Sequence, residues 1–147
     1  MLKLNIGCGN LPLEGFKNVD KSPTAQADEF YDITEGLKEA DESCEQVNAG
    51  CVIEQIAPND KFIFVMNECW RVLKPGGTMT GYVPTTEKQV LFLDPMDRRF
   101  FLPDTFKYLV KGENAYKQFG VNYGLKGWSQ IFTSVNEHGI LEFKLTK

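Results

Sequence analysis

The residues best placed to do chemistry are a glycine pair near the start of the chain, two acids that follow it, and a short polar segment further on. Gly7-Cys8-Gly9-Asn10 breaks the apolar-alternating run Leu2–Ile6, which reads as a strand turning into a tight loop. Neither glycine carries a side chain, so the backbone there can come close to a ligand; a plain turn is the competing reading. Asp20 closes a second short strand, Phe16–Asp20, and Asp32 falls near the end of a third, Asp28–Ile33. A carboxylate at a strand end offers two oxygens to the hydroxyls of a ribose. Taken singly, each acid could equally be a solvated turn residue. Asn48-Ala49-Gly50-Cys51 lies toward the end of a fourth strand candidate, Val47–Val52.

Three ligands compete for the glycine loop. A nucleoside-triphosphate loop needs Gly-Lys-Ser/Thr, and here Asn10-Leu11-Pro12 follows. A dinucleotide fingerprint needs a third glycine where Pro12 stands, and a helix to receive the pyrophosphate. Only ten residues separate Gly9 from Asp20, so a full helical crossover barely fits. What remains is a nucleoside without a pyrophosphate, its ribose held by a carboxylate. No metal site is expected. The four cysteines form no CxxC pair and His138 is the only histidine, which leaves a zinc site without ligands at suitable spacing. The thiols read as reduced.

These residues need a sheet to bring them together. The strongest helix is Lys61–Leu73, with Asn59 or Asp60 as its cap and Phe62, Val65, Met66, Cys69, Val72 and Leu73 at helical spacing. Lys74-Pro75-Gly76-Gly77 ends it, and Thr78–Val83 is a fifth strand, cut by Pro84. Pro103 opens a further helix over Asp104–Val110, while Glu113–Lys126 shows no clear period. Gln130–Val135 and Ile140–Leu145 flank Asn136-Glu137-His138-Gly139, a hairpin by its turn chemistry. Strands alternating with helices and closed by a hairpin predict an α/β, mostly parallel sheet with ligands at the strands' carboxyl ends.

With 147 residues the chain has room for one domain over 1–147, and 42% hydrophobic against 24% charged residues describes a folded protein. The net charge of -4 argues against a nucleic-acid partner, which calls for a basic face. No apolar run approaches the ~20 residues of a membrane span, and the start has no signal-peptide pattern. The expectation is a soluble, cytoplasmic protein.

The motifs together resemble a class I S-adenosylmethionine-dependent methyltransferase, of the small type 11-like kind. The resemblance rests on Lys3–Asn10, Asn18-Val19-Asp20, Asp32-Ile33-Thr34 and above all Glu68-Cys69-Trp70-Arg71-Val72-Leu73-Lys74-Pro75-Gly76-Gly77. It continues through Asp94-Pro95, Arg99–Phe101 and Pro103–Phe106. It implies a Rossmann-like sheet of seven strands flanked by helices and ending in an antiparallel hairpin. It also implies S-adenosylmethionine as cofactor and S-adenosylhomocysteine as product. Gly7, Cys8, Gly9 and Asn10 then form the loop beside the methionine part, with Asp20 and the adjoining Lys21 at the ribose. Asp32 accepts from the adenine amine, Ile33 packs on the ring, and Asn48, Ala49 and Gly50 line the methyl-donor end.

The chain departs from such proteins in its histidines. Cys51-Val52-Ile53-Glu54-Gln55 stands where they often read His-Val-Leu-Glu-His, and Asp97 where they often carry another histidine. No catalytic residue is therefore assigned; methyl transfer can run on in-line positioning without a general base. The strings that mark DNA-methylating relatives are missing, which leaves a small molecule or a glycan as acceptor, received over Pro84–Tyr123. Arg98 and Arg99 could hold an anionic acceptor or be surface charges. An inactive cofactor-binding protein with a regulatory or scaffolding role is the alternative, and a nicotinamide-dependent oxidoreductase is disfavoured by Pro12.

Overall fold

The computed structural model describes residues 1–85 and 93–147. Seven strands form one sheet: β1 (Leu2–Ile6), β2 (Lys17–Asp20), β3 (Glu29–Phe30), β4 (Cys44–Gly50), β5 (Leu73–Pro84), β6 (Gln130–Val135) and β7 (Ile140–Thr146). Their order is β3-β2-β1-β4-β5-β7-β6. The first five strands in the chain run parallel, and β7 pairs antiparallel with both β5 and β6. The expected α/β sheet, mostly parallel and closed by a C-terminal hairpin, is what the chain forms. The switch point of this order lies between β1 and β4, so a crevice at their carboxyl ends is the natural ligand site.

One α-helix stands out among the described residues, α1 (Asn59–Val72). It begins two residues before the expected start because Pro58 O accepts the Lys61 and Phe62 N–H groups, which puts Asp60 inside its positive first turn. Val65, Met66, Cys69 and Val72 pack against Leu4, Ile6, Val47, Ala49 and Met79 on one face of the sheet. The same core takes in Phe101, Phe106 and Phe143, whose rings stack at centroid distances of 5.3 and 4.8 Å. The helix expected after Pro103 is a 3-10 helix, Pro103–Leu109, and the unpatterned stretch holds a π-helical turn, Tyr116–Gly120.

The other face of the sheet is polar. Asn18, Asn5, Asn48 and Thr80 lie side by side on β2, β1, β4 and β5 in register. Their side chains form a continuous chain: Asn5 Nδ2 donates to Asn18 Oδ1 at 2.9 Å, Asn48 Nδ2 to Asn5 Oδ1 at 2.8 Å, and Thr80 Oγ1 to Asn48 Oδ1 at 3.3 Å. Parallel sheets ordinarily bury both faces under crossover helices. Here no helix connects β1 to β2. The connector instead crosses the polar face and ties its backbone to the ladder, with Leu13 N–H on Asn18 Oδ1 and the Leu13 and Phe16 carbonyls on Asn18 Nδ2. The asparagines supply the partners that the backbone of a helix-free crossover needs.

Candidate functional site

A crevice of about 370 Å³ opens at the carboxyl ends of β1, β2 and β4, lined by Gly7, Asp20, Lys21, Tyr31, Asp32, Ile33, Thr34, Cys51, Val52, Gln55, Ile56 and Ala57. Its size lies within the roughly 300–1,000 Å³ of small-molecule pockets. The fold thus brings together Gly7, Asp20, Lys21, Asp32 and Ile33 of the expected site residues. Gly7 adopts φ +63°, and a Cβ there would overlap the Val52 Cγ2 methyl, so the first loop and the loop after β4 meet only because position 7 has no side chain.

Asp20 is anchored as well as presented. Its Oδ2 accepts the Gly9 N–H and its Oδ1 the Ser22 N–H, each at 2.8 Å. A carboxylate has about four lone-pair sites, so one on each oxygen is left for a ligand hydroxyl. Asp32 uses Oδ1 for the Thr34 N–H and hydroxyl at 2.9 and 2.8 Å, while Oδ2 faces Lys21 Nζ at 3.9 Å. Burial alone would raise the Asp32 carboxyl. The two Thr34 bonds, with the Lys21 and Lys61 charges, outweigh it and hold the group below the usual carboxylate range. Two carboxyl acceptors thus flank an apolar floor of Ile33, Val52 and Ile56.

The Glu68–Gly77 string positions this site from a distance. Glu68 Oε2 accepts the Leu37 N–H at 2.9 Å, and the Arg71 guanidinium binds Leu37 O, Glu39 O and Asp41 Oδ1. Helix α1 thereby clamps the loop that carries Asp32 and Ile33.

Cys8, Gly9, Asn10, Asn48, Ala49 and Gly50 do not line the crevice. Cys8 is buried, its Sγ near Gly9 O and Gln26 O, and burial pushes its thiol up. Gly9 supports Asp20 through its N–H, and a Cβ on it meets nothing within 4 Å. Asn10 is exposed, Asn48 belongs to the amide ladder, Ala49 is core, and Gly50 lies against the Tyr82 ring. Tyr31, Thr34, Cys51, Val52, Gln55, Ile56 and Ala57 are lining residues that sequence reasoning did not select. Their nearness to Asp32 and to the end of β4 was the available signal.

A second, apolar cavity of about 360 Å³ lies between α1 and the segment after β5, lined by Phe62, Ile63, Phe101, Tyr108, Leu109, Tyr123 and Leu125 with Asn59, Arg99 and Thr105. Residues 86–92 of the expected acceptor region Pro84–Tyr123 lie outside the described residues. Arg99 is occupied structurally: Nη2 and Nε donate to Ile56 O at 2.7 and 3.2 Å, and its guanidinium lies 4.1 Å from the Phe62 ring centroid. His138 is exposed in the β6–β7 turn, at the same end of the sheet as the crevice, since Gly139 O accepts the Thr85 N–H.

No family model matches the sequence, and no curated protein matches it either. Solved structures do. An S-adenosylmethionine-dependent methyltransferase from Archaeoglobus fulgidus aligns with a TM-score of 0.72 at 15% identity, over 99% of this chain and 85% of that one. The chain has the fold of the class I S-adenosylmethionine-dependent methyltransferases. A Methanosarcina mazei protein of the same description gives 0.61 at 13% identity, over 98% of this chain and 90% of that one. A Thermotoga maritima structure described as a possible histamine N-methyltransferase gives 0.60 at 16%, over 99% and 82%. At these identities the methyltransferase likeness is one of fold. Its seven strands and terminal hairpin are those expected from the sequence resemblance.

Proposed function

We propose that the chain, as one domain over 1–147, is an S-adenosylmethionine-dependent methyltransferase acting on a small-molecule or glycan-type acceptor in the cytoplasm. The observation that carries this reading is the pair of carboxylates, Asp20 and Asp32, set at successive strand ends around one apolar-floored crevice. Each keeps unspent acceptor capacity toward that crevice. The residues fit an adenosyl group: Asp20 accepts from the two ribose hydroxyls, Asp32 Oδ2 accepts from the adenine amine, and Ile33 packs against the ring. Lys21, next to Asp20 in the chain, brings its Nζ to 3.9 Å from Asp32 Oδ2. Gly7 and Val52 shape the passage toward the end of β4, with Cys8, Gly9 and Asn10 holding the loop and Asn48, Ala49 and Gly50 backing it. Bound there, the cofactor supplies a methyl group activated by its sulfonium, and S-adenosylhomocysteine remains.

The acceptor class follows from charge. A net charge of -4 disfavours a polyanionic nucleic acid. Incubation with methyl-labelled S-adenosylmethionine and fractionated small molecules tests the reading, with labelled product and S-adenosylhomocysteine as readouts. Acceptor-dependent release supports the enzyme. Cofactor affinity without turnover on any fraction supports the binding-protein alternative, which Cys51 and Gln55 favour by standing where related sequences often carry histidines.

A further inference from the structure

Arg99 carries a charge that no acid balances. Arg71, the other partly buried arginine, is paired with Glu68 and Asp41. Around Arg99, by contrast, no carboxylate lies within salt-bridge distance among the described residues, and burial alone acts on its guanidinium, drawing its value down. Nε and Nη2 donate to Ile56 O at 3.2 and 2.7 Å, and Nη2 also reaches Asn59 Oδ1 at 3.4 Å. The two N–H donors of Nη1 have no partner among the described residues. A guanidinium stays charged at any physiological pH, and a cation withdrawn from water without a counter-charge costs stability. An anion is the missing counterpart.

The guanidinium stands at the wall of the apolar cavity between α1 and the segment after β5. Its two side-chain neighbours, Asn59 and the Phe62 ring at 4.1 Å, line that cavity, as does Arg99 itself. Phe101, Tyr108 and Tyr123 add three more rings to the wall. The Tyr108 and Tyr123 rings lie 8° from parallel with centroids 6.5 Å apart, and both are partly exposed, so the aromatic wall reaches solvent. At about 360 Å³ the cavity is more than twice the size of a void of about 150 Å³ that accepts benzene. A purely apolar molecule would fill it and leave Arg99 unbalanced; a small inorganic anion would balance Arg99 and leave the rings facing a void. One guanidinium supplies a single positive charge, which a carboxylate matches and a phosphate dianion exceeds. Four rings in one wall favour an aromatic body, through edge and face contacts that an alkyl chain does not make.

We propose that this cavity is a binding site for an aromatic carboxylate, whose ring packs among Phe62, Phe101, Tyr108 and Tyr123 and whose carboxylate accepts from Nη1 of Arg99. The bonds from Nε and Nη2 to Ile56 O hold the guanidinium in place before the ligand arrives, so little ordering is left to the binding step. A carboxylate on Nη1 makes charge-assisted hydrogen bonds, the stronger kind. The cavity adjoins the crevice, since Ile56, to which Arg99 is tied, lines the crevice. What the crevice itself holds does not enter the argument.

Calorimetric titration of the chain tests the site. The probes are 3-phenylpropanoate and indole-3-acetate, with 3-phenylpropanamide as the uncharged analogue of the same shape and acetate as the anion without a ring. The two aromatic acids are expected to bind saturably, the amide about tenfold or more weakly than its acid, and acetate without saturation. Arg99→Gln should abolish the preference for acid over amide. Tyr123→Ala, which leaves the guanidinium untouched, should weaken acid and amide alike by about threefold or more. Failure of both acids to saturate the wild type overturns the site. So does an amide that binds as well as its acid, or acid affinity that neither variant lowers. Should Arg99→Gln not fold, the acid-to-amide ratio in the wild type and the loss in Tyr123→Ala decide it: a ratio near one, or no loss, overturns the site.

Discussion

Asp20 uses one lone pair of each carboxylate oxygen on the backbone, at Gly9 and Ser22, and the proposed reading gives the others to the ribose hydroxyls. Asp20→Ala removes a charged acceptor whose hydrogen bonds are worth about 1.5–3 kcal/mol, so S-adenosylhomocysteine affinity should fall roughly 10- to 100-fold by calorimetry. Asp20→Asn retains one acceptor oxygen and should fall less. Equal affinity in wild type and Asp20→Ala would remove Asp20 from the ribose. Glu54 makes a prediction about stability. Its folded value of about 7 lies above the ordinary 4.5, so the folded chain holds a proton that the unfolded chain has already released. Stability therefore declines as pH rises from about 4.5 to about 7 and is level above. Glu54→Gln removes that slope and should be the more stable protein at pH 8, by at most about 3 kcal/mol, with the advantage shrinking toward pH 4. Urea unfolding at both pH values checks this, and a variant less stable than wild type at pH 8 would contradict it. Asp20 was legible because a strand-end acid shortly after Gly-x-Gly is a local pattern. Glu54 was not, because its raised value comes first from burial and then from Asp97, more than forty positions away in the chain.

At the level of elements, Gly7 and Gly9 do different work although they share a motif. Both have positive φ, which costs any other L residue about 1–2 kcal/mol, but only Gly7 has a neighbour in the way. Gly7→Ala should cost about 1–3 kcal/mol more than Gly9→Ala, and a cycle with Val52→Ala should recover part of the difference. Equal costs would show that the two loops do not meet as described. The amide ladder is a second elemental device. Asn5→Ala breaks its bonds to Asn18 and Asn48 and should lower unfolding free energy by about 1–3 kcal/mol. No loss would mean that water replaces the ladder. The strands and α1 were readable from period and from turn residues such as Asn136–Gly139, whose Asn136 Oδ1 caps the His138 and Ile140 N–H groups. The short crossovers were not: β3 keeps only Glu29 and Phe30, since Asp32 turns the chain into a 3-10 helix by accepting from Thr34. Asn48 was assigned to the ligand because it nears the end of β4. Its register with Asn5 and Thr80, which puts it on the polar face, is set by pairing between distant segments.

Across the whole molecule, one face of the sheet carries the core and the other carries an amide ladder, and the crevice sits where the strand order reverses. That arrangement holds the site with a single α-helix among the described residues, because Arg71 and Glu68 reach from α1 to the Asp32 loop and the asparagines pin the connector after the glycine loop. Among the described residues no helix is long and apolar enough to cross a membrane. The central claim is that this crevice binds an adenosyl group with no pyrophosphate. Calorimetric titration of the chain with S-adenosylhomocysteine, S-adenosylmethionine, NAD and ATP tests it most directly. Saturable binding of the first two with no heat from NAD or ATP is the predicted result; binding of NAD or ATP, or silence toward S-adenosylhomocysteine, would contradict it.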